Sequence, residues 1–151
     1  MGIETLSQVA TALGAPLAVL ALAYTGIQLK RTLAVERGRF LLELERMSAT
    51  HDKTHLRLRP GGDLSDGRST PQTAAEWSEL EDYMGFFEHC ELLIQAESLE
   101  LDRFKRLFGY RVGNIVANKS IVDAKLVQEG RNWQDFRSLA ERLGYQLPPA
   151  K

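Results

Sequence analysis

Cysteine is almost absent from this chain. Cys90 stands alone, so no intrachain disulfide framework braces the fold. That agrees with a reducing compartment without requiring one. Charge is missing from the opening stretch, where Glu4 is the one ionisable side chain among residues 1–29. Sustained period-two alternation is missing as well, which argues against a sheet and for an all-α chain. There is no fixed-period repeat, low-complexity tract or terminal lipidation box. Nor is there a phosphate-binding loop, an HExxH or GxSxG motif, or a paired-cysteine zinc pattern, so the common catalytic and metal signatures are lacking. The formal net charge of −1 gives no global reason to expect a nucleic-acid partner.

What is present is divided unevenly. The 151 residues, 44% hydrophobic and 26% charged, leave room for one ordinary domain or a small domain with an appendage. Nearly every charge lies after residue 29, which points to two environments. The uncharged run covers residues 5–29 and is most apolar from Val9 onward. Twenty-one helical residues at 1.5 Å each reach roughly 31 Å, close to the hydrocarbon thickness of a bilayer. A transmembrane helix is therefore the leading expectation. A cleaved export signal is a weaker alternative, because no Lys or Arg precedes the run, although Ala21-Leu22-Ala23 imitates a cleavage site. A helix buried in a soluble homo-oligomeric stalk is another.

Lys30, Arg31, Arg37, Arg39 and Arg46 all follow the run, so the positive-inside rule places the N-terminus outside and the remainder in the cytoplasm. Lys30 and Arg31 are the candidate headgroup contacts. Between Val9 and Leu29 there are six alanines, two glycines and Pro16, against eight Leu, Ile or Val residues. Ala10, Gly14 and Ala18 repeat every four residues, extended toward Gly26. Such a face lets a second helix approach closely in lipid, so these four are candidate helix-packing positions.

Residues 30–50 continue the helical spacing through Leu33, Arg37, Phe40, Leu44 and Met47, and are expected to form an amphipathic connector helix. Residues 51–73 are rich in Pro and Gly and poor in apolar residues, which predicts a flexible loop. His51 and His55 would share one side of a helix, but no convincing third ligand lies nearby, so a solvated pair is expected and no metal.

A compact four-helix domain is expected over residues 74–147. Thr73 and Glu76 form a capping box before a helix over about 74–96, with Trp77, Leu80, Met84, Phe87 and Ile94 on one face and Tyr83 and Cys90 beside it. A second helix is expected from Glu100–Asp102 to Asn118. There Gly109 and Gly113 would allow a neighbouring helix to pack closely. A third spans Ser120 to Gln128. The last is capped by Asn132, buries Trp133, Phe136, Leu139 and Leu143, and ends at Gly144.

The cluster Glu88-His89-Cys90-Glu91 is the one stretch that invites a catalytic reading. Adjacent helical residues diverge, so His89 and Cys90 do not face each other, and Cys90 falls on the apolar side. The expectation is a structural thiol, no catalytic residues, no cofactor and no enzyme. Glu88 is a candidate for a structural ion pair with Arg111 or Arg103, and is otherwise expected as a solvated glutamate.

The stretches "YMGFFEHCELLIQAESLELDRFKRLFGYRV" and "WQDFRSLAERL", together with the opening helix, resemble a family of small bacterial single-span membrane proteins of unknown function. The resemblance implies an N-terminal hydrophobic helix, a cytoplasmic helical domain and the bacterial inner membrane as location. No activity is attached to that family, so no catalytic residues transfer. The expected function is a membrane-anchored helical accessory subunit or scaffold. Its partners are the lipid bilayer and itself or another membrane-complex subunit. An oligomeric pore or hydrophobic conduit is the alternative.

Overall fold

In the computed structural model the backbone is described for residues 3–65, 67 and 69–151, and side chains from Tyr24 onward except at Ala34. All regular structure among these residues is helical, as the missing period-two pattern implied. The chain divides into two units, Met1–Arg46 and Met47–Lys151.

The first unit consists of helix α1, which runs unbroken over Ile3–Ala49 and ends in the second unit. No strong breaker follows residue 29 except Gly38, whose mid-helix cost of about 1 kcal/mol is tolerated. Arg39–Glu36 and Arg46–Glu43 pair one turn apart on its surface. The uncharged run and the connector are thus parts of one helix. Among the described residues no helix is long and apolar enough to cross a membrane. Most of the 5–29 run, including Ala10, Gly14 and Ala18, lies outside the described side chains.

The second unit is built around α3 (Ala74–Gln95). Its start is the expected capping box: the Thr73 hydroxyl accepts from the Glu76 N–H, and the Glu76 carboxylate accepts from the Thr73 N–H. Leu80, Tyr83, Met84, Phe87 and Cys90 are fully buried, while Trp77 is half-buried. α3 stops without a glycine: Glu97 adopts the left-handed region at φ 56° while the Ser98 and Leu99 N–H groups return to the Leu93 carbonyl.

α4 (Leu101–Ala117) supplies Phe104, Phe108, Val112 and Ile115 to the core, and α6 (Gln134–Arg142) supplies Phe136 and Leu139. α6 packs chiefly on α3. Gly113 does make room for a close neighbour, but that neighbour is the Tyr145 ring of the C-terminal segment rather than a helix. The expected third helix is a short α5 (Lys119–Ile121) that widens into π-helical turns over Val122–Gln128. Carbonyls there find tertiary donors, since Leu126 O accepts from the Arg137 guanidinium and Val127 O from the Lys151 N–H.

Two expectations fail for the same reason, a partner distant in sequence. Asn132 does not cap α6; instead Glu88 of α3 accepts from the Phe136 N–H at 3.3 Å. Nor is 51–73 simply a loop. It begins with α2 (Asp52–Leu58), and Leu58 and Leu64 are each only 2% exposed. Buried Asn118 donates to the carbonyls of Leu64 (2.8 Å) and Ser69 (2.9 Å) while its own oxygen caps the Ile121 N–H. The turn after α2 needs Gly62, where an added Cβ would lie 2.1 Å from the Arg57 carbonyl oxygen.

Replacing Asn118 with Ala removes all three bonds and leaves buried backbone groups unpaired. The expected loss is about 2–4 kcal/mol in urea unfolding, with new protease cleavage in the 59–70 segment. Unchanged stability and protection would show that the segment is held by its apolar anchors alone.

Candidate functional site

The densest group of titratable side chains in the second unit lies where α2 meets α3 and α4. Helical spacing puts His51 and His55 on one side of the chain, as expected, but that side faces aromatic rings rather than solvent. His51 lies 5.5 Å from the Tyr83 ring and 5.9 Å from Phe86; His55 lies 5.5 Å from Tyr110. His55 Nδ1 is 3.4 Å from the buried Tyr83 hydroxyl. Burial pushes the pKa of that phenol up, and the imidazole tautomer sets which of the two donates.

Arg111 of α4 closes the group. Its guanidinium meets Asp52 at 3.1 Å, and its Nε donates to the Tyr110 hydroxyl at 3.2 Å. The expected Glu88–Arg111 pair is thus overturned. Glu88 lies at the start of α6, while Arg103 pairs locally with Glu100. Burial raises the Glu88 pKa against the opposing pull of the α6 amides. Burial also lowers both histidine pKa values. Arg111 lowers them further, while Asp52 opposes for both and Asp82 for His51.

Beside His51 is an open groove of about 480 Å³ whose walls include Met47, Glu81, Asp82, Gly85 and Phe86. A smaller hollow of about 260 Å³ adjoins it at Lys53 and Glu79, which pair at 2.7 Å. His89 is at the groove edge, its Nδ1 donating to the Gly85 carbonyl at 2.9 Å. Cys90 points the other way into the core, where burial pushes its thiol up to about 12. Such a thiol is not poised for nucleophilic attack. Among the described residues no three His, Cys, Asp or Glu side chains converge as metal ligands. The groove has an apolar floor at Met47 and Phe86 and acidic walls at Glu81 and Asp82.

Of the other candidate positions, Gly26, Lys30 and Arg31 are exposed on α1, and a Cβ on Gly26 would meet nothing within 4 Å. Sequence reasoning missed Glu91, which is 0% exposed and accepts from Ser138, Arg142 and Gln95 on one oxygen. A signal existed: Leu80, Met84, Phe87, Glu91 and Ile94 step by three or four, so Glu91 falls in the core stripe. Asp52 and Asn118 carried no such signal.

Comparison with known protein families, with curated proteins and with solved structures found no match.

The lowered histidine pKa values set the sign of a pH effect. The folded state binds fewer protons than the unfolded chain, whose histidines titrate near 6.5, so stability rises with pH there. It is fully present above about pH 6.5 and is lost as pH falls through the lowered folded values. Stability measured from pH 7.5 to 5 should decline, and the double variant His51→Gln/His55→Gln should decline less. Equal slopes in both proteins would remove the histidines as the cause. Glu88→Ala should cost about 1 kcal/mol through the lost helix-start acceptor, whereas Glu88→Gln retains most of it.

Proposed function

We propose that this chain is a non-enzymatic, membrane-anchored helical accessory subunit or scaffold of the bacterial inner membrane, with its N-terminus outside. The observation that carries the reading is the continuity of α1, which takes the uncharged 5–29 run without a break into a basic helical stretch. Where side chains are described, Tyr24, Ile27 and Leu29 are 63%, 53% and 59% exposed. Three large exposed apolar side chains within two turns are a surface that lipid would cover. Lipid is a cover of matching length for the run that precedes them.

The flanking chemistry supports the same placement. Gln28 Nε2 donates to the Tyr24 hydroxyl at 2.7 Å and the Thr32 hydroxyl donates to the Gln28 carbonyl, so polar groups at this level are satisfied within the helix. Tyr24 is the kind of residue that settles at a bilayer surface, and Lys30 and Arg31 follow it on the basic side. The second unit then offers a recognition surface, the acidic groove, on the cytoplasmic side.

Full-length protein should pellet with membranes, stay there in high salt and alkaline carbonate, and require detergent for release. A Ser7→Cys variant should react with a membrane-impermeant maleimide on intact spheroplasts, while a Thr50→Cys variant should react only after lysis. Recovery in the soluble fraction as an oligomer would replace the anchor with a self-associated stalk. Pelleting with reversed labelling would overturn the orientation alone.

A further inference from the structure

We infer that the groove beside α2 and α3 receives the stripe Val35–Arg39–Leu42–Arg46 from α1 of a second copy of this chain. The inference names a partner for the scaffold of the proposed function, a second copy of the chain, and rests on that reading.

The first ground is unoccupied room on a helix. Gly85 lies in the interior of α3, where glycine costs about 1 kcal/mol relative to alanine. An added Cβ there would meet nothing within 4 Å, so among the described residues no packing demands a glycine at this position. A missing side chain at the floor of a groove lets another helix come close. Phe86 and Met47, the latter 48% exposed, make the floor apolar.

The second ground is charge. Glu81 and the exposed Asp82 line the groove, and Glu79 stands in the adjoining hollow. Glu79 and Glu81 already hold Lys53 and Lys125, whereas Asp82 faces His51, whose pKa it raises against the effect of burial. A ligand with apolar knobs flanked by cations fits these walls.

This chain carries such a ligand. Positions 35, 39, 42 and 46 are spaced four, three and four apart, which places them along one helical face. That face alternates Val35 (56% exposed), Arg39, Leu42 (66% exposed) and Arg46. Both arginines pair with an exposed carboxylate one turn away, Glu36 at 3.4 Å and Glu43 at 3.9 Å. Such pairs contribute little and exchange readily for a better acceptor. Over residues 30–46 five basic residues stand against three acidic ones, opposite in sign to the groove.

The test uses two differently tagged full-length chains, both Cys90→Ala, mixed in mild detergent and oxidised. Gly85→Cys in one and Leu42→Cys in the other should give a disulfide-linked pair, while Leu107→Cys on α4 in place of Gly85→Cys should not. With Gly85→Cys retained, adding Asp82→Arg should lower the linked fraction at least about tenfold, and Arg39→Glu in the partner should restore it. Asp82 is exposed, so that variant keeps the fold, checked by its thermal melt. Absence of the linked pair, equal linkage through Leu107→Cys, or failure of the charge swap to rescue would each overturn the contact. Membrane pelleting of the same chains separates the two ideas: retained pelleting without linkage removes the contact only, and lost pelleting with linkage removes the anchor only.

Discussion

The second unit depends on the burial of one ring. Phe87 is fully enclosed, and its centroid lies 4.9 Å from Tyr83, 5.2 Å from Phe86, 6.2 Å from Phe104 and 6.2 Å from Phe136, all edge-on. Those partners come from α3 itself, α4 and α6, so a single side chain sets the spacing of three helices. Edge-to-face rings have a preferred geometry as well as a large buried area, which makes this centre more specific than an aliphatic one. A domain of about 100 residues has little other core to spare. His51 of the groove belongs to the same aromatic system, since Tyr83 and Phe86 are its outer members.

Around that centre, carboxylates of α3 reach α2, the π-helical turns and α6. Glu76 meets Arg57, Glu79 meets Lys53, Glu81 meets Lys125, Glu88 starts α6, and Glu91 holds Arg142 and Ser138. The exposed pairs contribute little one by one. Glu91 differs, because a carboxylate with no exposure must be satisfied on the spot, and its Oε2 has no partner. It selects one seating of α6 against α3 rather than merely strengthening it. The same acidic helix, where it turns outward at Asp82 and Gly85, leaves a face that nothing in the second unit covers. On the first unit, the described side chains Val35 and Leu42 are exposed beside Arg39 and Arg46.

Helix α3 was readable almost to the residue because three signals coincide: the Thr73–Glu76 box, a 3.6-residue apolar period and a run of aromatics. α4 and the Gly144 stop of α6 were readable for similar local reasons. The groove was only half legible. His51 and His55 sit four apart in any helix, but the run around them has too few apolar residues to show that it folds onto anything. Glu88 was expected in an ion pair or in solvent, yet its partner is a backbone amide 48 residues away, which no side-chain pattern encodes.

Local physics in the chain itself therefore determined the helical class, the uncharged opening run with its basic flank, and which face of α3 turns inward. Periodicity, capping and charge placement act over a few residues and can be read in order. Tertiary structure alone decided that 51–73 is held by Asn118, that Arg111 takes Asp52 rather than Glu88, and that helix 120–128 widens into π-helical turns. Those outcomes depend on which donors and acceptors find each other across roughly ten to sixty residues. A buried polar group must be paired, but its sequence does not say with whom.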